Sequence, residues 1–233
     1  MLTAFLDLVL PARCAGCARA GSVVCPACAQ ELHGDPRPRA PSPPPRGMPD
    51  CWAGALYAGA PRRAILAYKE RGRTALARPL AASLTATLVA ALRESDALGA
   101  PLALVPIPSA RKAVRQRGHD PVGRLAELAV GALRSRGAPV TLAPVLAQRR
   151  RVRDQAGLSA SQRAANLSGA FGVRAAGSAP ERSLWGRPDP VAVLVDDIVT
   201  TGTTLAEAAG ALRREGVVVP LAVTLAATPR RAR

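Results

Sequence analysis

The chain has 233 residues, which is enough for one sizeable α/β core or for one domain with a small satellite. Hydrophobic residues make up 48% and aromatic residues only 3%, so wholesale disorder is excluded and the core must be built from Ala, Val and Leu. The net charge of +16 favours anionic partners such as phosphates or nucleic acid, although a coding bias toward Arg would raise the charge without any function.

Composition divides the chain into three parts. Residues 1–33 hold four of the five cysteines, residues 34–50 are rich in proline, and residues 51–233 carry alternating strand and helix patterns. The first residues, MLTAFLDLVLP, predict a short packing helix, because they lack the basic start and cleavage site of a signal peptide. No run approaches the roughly 18 apolar residues of a membrane span. We therefore expect a cytoplasmic chain without membrane contact.

The cysteines of residues 1–33 form two C-x-x-C pairs, and they are Cys14, Cys17, Cys25 and Cys28. Each C-x-x-C turn directs two sulfurs at one point, and two such turns complete the tetrahedral thiolate set that Zn²⁺ prefers. In a reducing compartment a metal is favoured over disulfides, while redox pairs and simple packing are the alternatives. Four protein ligands leave no open position, so the pattern predicts a structural zinc. Cys51 stands alone and is interpreted as a packing residue.

Residues 34–50 predict an extended, semi-rigid linker with no core of its own. Beyond it, strands alternate with helices, which predicts a mostly parallel sheet covered by helices. The clearest strands are residues 102–108, 140–146, 191–197 and 217–228.

Helix patterns fill the intervals between these strands. Residues 61–94 look largely helical, and a second helix follows Asp120, with Pro121 in its first turn and Gly137 at its end. A third begins near residue 204 and stops at Gly216. Residues 174–190 are rich in turn formers and predict an exposed excursion.

One predicted strand ends in two adjacent acids and is followed at once by small residues, in VAVLVDDIVTTGTT (residues 191–204). The strand delivers Asp196 and Asp197 to the carboxyl edge of the sheet, where open α/β folds place their ligands. The small residues let N–H groups and hydroxyls surround an anion, and the next helix start adds partial positive charge. A phosphate in the loop and vicinal hydroxyls on the carboxylates together describe a ribose 5-phosphate. The alternative is a plain strand-to-helix turn with a helix cap.

This segment resembles the phosphoribosyl pyrophosphate (PRPP) motif of type I phosphoribosyltransferases. Over most of its length the chain also resembles the ComF family of competence-related phosphoribosyltransferase-like proteins. The similar stretches are the double C-x-x-C, YKERGR (68–73), VPIPSARKAVRQRGHDP (105–121) and QAGLSASQRAANLSGAF (155–171). The resemblance implies a type I phosphoribosyltransferase-like α/β fold over residues 51–233, with a small N-terminal four-cysteine zinc module. It also implies Mg²⁺-assisted transfer of phosphoribose from PRPP to an unknown acceptor, with release of pyrophosphate.

The resemblance assigns roles to particular residues. Asp196 and Asp197 would hold the ribose hydroxyls at the catalytic centre. The PRPP-binding set would be Thr200, Thr201, Gly202, Thr203 and Thr204 at the 5′-phosphate, Ser109, Arg111, Lys112 and Arg117 at the pyrophosphate, and Arg149 and Arg151 in a mobile closing loop (149–166). These cations suit a strongly anionic group, although the run RRRVR is also typical of a solvated basic loop. Lys69 and Arg71 fall where the family builds its acceptor side.

The chain departs from the family pattern at two places. Residues 117–121 read RGHDP where the family commonly has RGFNQ, and His119 is interpreted as a loop residue rather than a base. Thr200 stands where purine enzymes usually carry an Asp that deprotonates the base nitrogen, which argues against a purine salvage enzyme.

Two functions remain open. The first is a PRPP-dependent transferase. The second is a PRPP- or nucleotide-sensing adaptor in DNA uptake, which would bind competence proteins or single-stranded DNA through its basic surface and zinc module. Against the second, the sequence shows no aromatic stacking platform. A purely structural zinc protein would leave the paired acids unexplained, and a homo-oligomer is compatible with either function.

Overall fold

We describe a computed structural model of the chain, and its described residues are 12–95, 101–149, 169–174 and 191–229. Three predicted features therefore lie outside the described residues. They are the N-terminal packing helix, the closing loop from residue 150 to 166 with Arg151, and the turn-rich excursion over 175–190.

Within the described residues, the centre of the molecule is a six-stranded, mostly parallel sheet. Its strand order is β1-β2-β8-β7-β3-β4, and every neighbouring pair is parallel except β1 with β2. Two further strands, β5 and β6, form a separate antiparallel pair. The bounds are β1 Arg37–Pro38, β2 Asp50–Leu56, β3 Leu102–Pro106, β4 Val140–Leu142, β5 Leu146–Gln148, β6 Phe171–Val173, β7 Val191–Val199 and β8 Val218–Ala227. The predicted α/β class with a mostly parallel sheet is confirmed.

Helices cover both faces of the sheet. Their bounds are α1 Pro26–His33, α2 Gly59–Lys69, α3 Ala77–Glu94, α4 Arg111–Arg117, α5 Pro121–Arg134 and α6 Thr203–Arg213, with a 3₁₀ turn at Thr74–Leu76. Strand side chains alternate between the faces, so Val193 and Val195 of β7 pack in the cluster with α2, α3 and α5. Ala192 and Leu194 pack in the opposite cluster, with α6 and the β5–β6 pair. Nearly all of this core is Ala, Val and Leu, as the composition requires.

The helical turn and helix over Thr74–Glu94 are long and apolar enough to cross a membrane by length and composition alone. In the fold, however, most of this stretch is buried, and α3 packs on α5 and on the sheet. Its apolar character is therefore accounted for by its place in the protein core.

The order of the strands creates a crevice at the centre of the sheet. From β3 the chain moves outward to β4 at one edge, whereas from β7 it moves through α6 to β8 on the other side. Since β3 and β7 are parallel neighbours, their carboxyl ends lie side by side. A crevice lies between these ends, because the chain leaves the two strands in opposite directions. Parallel α/β sheets bind ligands at such a point.

Candidate functional site

The four cysteines of the N-terminal part converge on one point. Their sulfur atoms all lie within 4.8 Å of one another, and those of Cys17 and Cys25 are 3.6 Å apart. A tetrahedral zinc with Zn–S bonds of about 2.3 Å needs sulfurs roughly 3.8 Å apart, so the donor set and its spacing fit Zn²⁺. Because all four positions of a tetrahedron would be filled by the chain, such a metal would be structural.

Backbone N–H groups favour the thiolate form within this cluster. Burial raises the pKa of Cys14. Backbone N–H groups donate hydrogen bonds to its sulfur, the most effective being that of Cys25, and together they outweigh burial and lower this pKa to about 6. Burial raises the pKa of Cys28, and the neighbouring thiols raise it further. A metal bound at this point would remove that conflict, because it stabilises several thiolates at once.

The cysteine cluster packs against helix α2. Ala60, in the first turn of α2, is buried together with three of the cysteines, which are Cys14, Cys25 and Cys28. Arg63 donates a hydrogen bond to the carbonyl of Gly16, and the Glu31 carboxylate accepts one from the N–H of Ala60 at 3.3 Å. The cysteine cluster therefore helps to fix the start of a helix whose last residue is Lys69.

The two adjacent acids lie at the carboxyl end of β7. Asp197 is 6% exposed, whereas Asp196 is only half-buried and accepts a hydrogen bond from the N–H of Asp197 at 2.8 Å. Burial raises the pKa of Asp196 well above its ordinary value, and the charge of Asp197 raises it further. Adjacent residues of a strand face opposite sides of the sheet. The strand thus offers carboxylate oxygens on both sides of its end.

Lys69 balances part of this negative charge. Its Nζ lies 2.5 Å from Oδ2 of Asp197, and this oxygen has no hydrogen-bonding partner of good geometry among the described residues. The contact is therefore a close ion pair rather than a well-directed hydrogen bond. Burial lowers the pKa of Lys69, but the charges of Asp197 and Asp196 outweigh burial and hold it above its ordinary value. Lys69 is therefore a cation at neutral pH.

The threonine loop (residues 200–204) turns β7 into α6. Gly202 has φ +74° and is the N-cap residue of α6, and no described side chain caps this helix. The hydroxyls of Thr201 and Thr203 lie 3.0 Å apart and hydrogen-bond to each other. The first N–H groups of a helix have no partner inside it, so the start of α6 presents donors and partial positive charge to an anion.

The proline-rich segment (residues 34–50) lies against the threonine loop. Its Arg37–Pro38 strand pairs with β2, and the N–H of Arg39 donates to the carbonyl of Cys51 at 2.8 Å. Further along, Met48 and Pro41 pack over Gly202. The segment is thus attached to β2 at one end and packs against the threonine loop at the other.

These elements surround a cavity of about 460 Å³ at the crevice between β3 and β7. Its lining is Tyr57, Lys69, Ile107, Pro108, Ser109, Val122, Asp196, Asp197, Ile198, Val199, Thr200, Thr201, Gly202, Thr204 and Leu205. The structure thus brings together the predicted carboxylates, four of the five threonine-loop residues, and Ser109. Thr203 is 7% exposed and does not line the cavity.

The predicted pyrophosphate residues after β3 are distributed differently. Ser109 lines the cavity and donates a hydrogen bond to Asp120 at 3.2 Å. Arg111 and Lys112 begin helix α4. Arg117, at the end of α4, donates two hydrogen bonds to the carboxylate of Glu70, at 2.7 and 3.0 Å, and does not line the cavity.

Arg149 follows β5, and its side chain is exposed and packs over Gly172 of the neighbouring strand β6. Its N–H donates to the carbonyl of Ala170 at 2.8 Å. Arg149 is therefore attached to the β5–β6 pair, and it is not among the residues that line the cavity.

Three contributors to the site were not expected from the residue pattern. Tyr57 follows β2, a strand that is not among the clearest predicted strands. The guanidinium carbon of Arg62 lies over the Tyr57 ring, 5.8 Å from its centre. Met48 lies in a segment whose composition indicates only a linker. The resemblance places Lys69 on the acceptor side, and the YKE sequence gives no sign of its contact with Asp197.

Comparison of the sequence with protein-family models and with curated proteins finds no match.

Proposed function

We propose that this protein binds PRPP at the crevice between β3 and β7 and transfers its phosphoribosyl group to an acceptor. The observation that carries the proposal is the pairing of two different binding chemistries within one cavity. Carboxylates at the end of β7 suit vicinal ribose hydroxyls, and the threonine loop with the start of α6 suits a phosphate. A ribose 5-phosphate carries both groups. The resemblance to type I phosphoribosyltransferases and to the ComF family adds to this proposal.

The chain's residues would divide the work as follows. Asp196 and Asp197 hold the hydroxyls and stabilise positive charge that develops on the sugar, while the threonine loop fixes the 5′-phosphate. Ser109 and the start of α4 lie on the side where pyrophosphate would leave. In the reaction the bond from C1 to pyrophosphate breaks, and a bond from C1 to the acceptor nucleophile forms.

Carboxylate oxygens are ligands that Mg²⁺ accepts, and Asp196, which is half-buried and not paired with Lys69, is the acid best placed to share one. Bound with the diphosphate, Mg²⁺ would neutralise charge on the leaving pyrophosphate.

The decisive experiment measures pyrophosphate release from PRPP and Mg²⁺ in the presence of a panel of bases and amines, beside a calorimetric titration of PRPP. Turnover with one class of acceptor supports the transferase. Saturable PRPP binding without turnover supports the second candidate, a sensing adaptor. For that candidate the observation is the net charge of +16 together with the cysteine cluster. Absence of PRPP binding would overturn the transferase and the PRPP-sensing form of the adaptor.

A further inference from the structure

The described lining of the cavity is short of positive charge for a ligand as anionic as PRPP. It contains two carboxylates, Asp196 and Asp197, and one basic side chain, that of Lys69. Arg117, which the family resemblance assigns to pyrophosphate, is held by both oxygens of Glu70. Without Lys69, the acids would repel the phosphates of the ligand whose hydroxyls they are proposed to bind.

Lys69 is held in place by its two chain neighbours. The Tyr68 hydroxyl donates to the carbonyl of Pro121 at 3.1 Å, and its ring lies 5.6 Å from that of His119. Glu70 binds Arg117. These contacts attach the end of α2 to residues 117–121, which join α4 to α5. Since Tyr68 is 2% exposed, the backbone that carries Lys69 has little freedom to move.

The ammonium group of Lys69 also has donors to spare. It carries three N–H donors, and among the described residues the ion pair that it forms is with one oxygen of Asp197. The Lys69 side chain is 29% exposed, and it is exposed into the cavity that it lines. A group bound in the cavity can therefore accept from Lys69 without breaking the ion pair.

From these observations we infer that Lys69 is a ligand-binding residue. It neutralises Asp197 and donates a hydrogen bond to the diphosphate of the ligand. The carboxylates accept hydrogen bonds from the ribose hydroxyls of that same ligand. This inference rests on the proposed function and names a residue that selects polyanionic sugar ligands. Inorganic phosphate, bound in the threonine loop, would gain little from Lys69, because it is a single group held by other donors.

The test compares Lys69→Met with Arg93→Met by calorimetric titration of PRPP and of inorganic phosphate. Arg93 is exposed near the end of α3, which runs back to the amino-terminal edge of the sheet, so its substitution controls for the loss of one positive charge. Loss of a hydrogen bond to a charged group weakens binding by about tenfold to a hundredfold. We expect that loss for PRPP in Lys69→Met. For phosphate, and for both ligands in Arg93→Met, we expect a change below about threefold, because distant charges are screened.

Each outcome bears on one proposal. If wild-type protein does not bind PRPP, the proposed function fails, and with it the basis of this inference. If wild type binds PRPP and Lys69→Met binds it as tightly, or loses phosphate binding to the same extent, Lys69 does not select the polyanion and the inference alone is overturned.

A second measurement needs no substitution, which matters because Lys69→Met leaves Asp197 buried without its ion pair. The chain has two lysines, Lys69 and Lys112, so mass spectrometry resolves their reaction with an amine acylating reagent. We expect saturating PRPP to slow acylation of Lys69 by about tenfold or more, because the ammonium group is then held by the additional hydrogen bond. Saturating phosphate should leave the acylation rate of Lys69 nearly unchanged. An acylation rate at Lys69 that PRPP does not alter would overturn the inference.

Discussion

The sulfur of Met48 occupies the space into which a β-carbon on Gly202 would project. The proline-rich segment and the threonine loop are therefore in direct contact at the one residue of the loop that has a positive φ. Gly202 meets two requirements at once, a left-handed backbone and a close approach by a neighbouring side chain.

Gly202→Ala is expected to lower the free energy of unfolding. A left-handed backbone costs a residue with a β-carbon about 1–2 kcal/mol, and crowding against Met48 and Pro41 adds about 1–3 kcal/mol. Gly216→Ala is the matched control, because Gly216 has φ +80° with open space around it. Urea denaturation of both variants measures the difference. Equal losses would show that Met48 places no constraint on the loop.

Cys14→Ser is expected to lower both zinc content and stability. Wild-type protein should hold about one zinc per chain, and loss of a structural metal ligand should cost about 3 kcal/mol or more. Cys51→Ser is the control, because Cys51 is buried in the sheet and stands outside the cysteine cluster. Elemental analysis and melting curves test this. Metal-free wild-type protein, or zinc content unchanged in Cys14→Ser, would contradict a zinc site here.

Asp196→Asn is expected to raise the melting temperature at neutral pH while weakening PRPP binding. Because the pKa of Asp196 is raised in the fold, its contribution to stability is complete below the ordinary pKa of Asp and is lost as the pH rises through the raised value. Asn carries no charge, so the stability of the variant should lack the part of the decline with rising pH that comes from ionisation of Asp196. Asp35→Asn, at an exposed side chain, controls for removal of any negative charge. If the melting temperatures of wild type and Asp196→Asn fall in parallel from pH 4 to 8, ionisation of Asp196 does not destabilise the fold and the prediction is wrong.

The sequence predicted the parts of this fold that have a strong local signal. The apolar run of β7, the start of α5 at Pro121 and the left-handed Gly216 after α6 depend on nearby residues, and each lies close to where the pattern places it. Asp120 is the N-cap residue of α5 as predicted, but its carboxylate accepts a hydrogen bond from Ser109 instead of capping the helix. A side chain with two possible partners cannot be assigned from spacing.

The parts that could not be predicted depend on contacts between distant residues. Lys69 and Asp197 are 128 positions apart in the chain and meet only because α2 ends beside the end of β7. Met48 reaches Gly202 in the same way, since pairing of Arg37–Pro38 with β2 directs the proline-rich segment across the sheet. Such contacts leave no periodic signal in the residues that make them.

Asp197→Asn tests most directly whether the end of β7 and the threonine loop form one ribose 5-phosphate site. The substitution keeps the shape of the side chain but removes its charge and exchanges one acceptor oxygen for an amide donor. PRPP affinity should fall by about tenfold to a hundredfold, because a hydrogen bond to a charged group is lost. Inorganic phosphate should bind as well as before, since it has no vicinal hydroxyls. Calorimetric titration of both ligands, beside a melting curve of the variant, decides the matter. PRPP bound as tightly by Asp197→Asn as by wild type would contradict the assignment of this strand end as a ribose site.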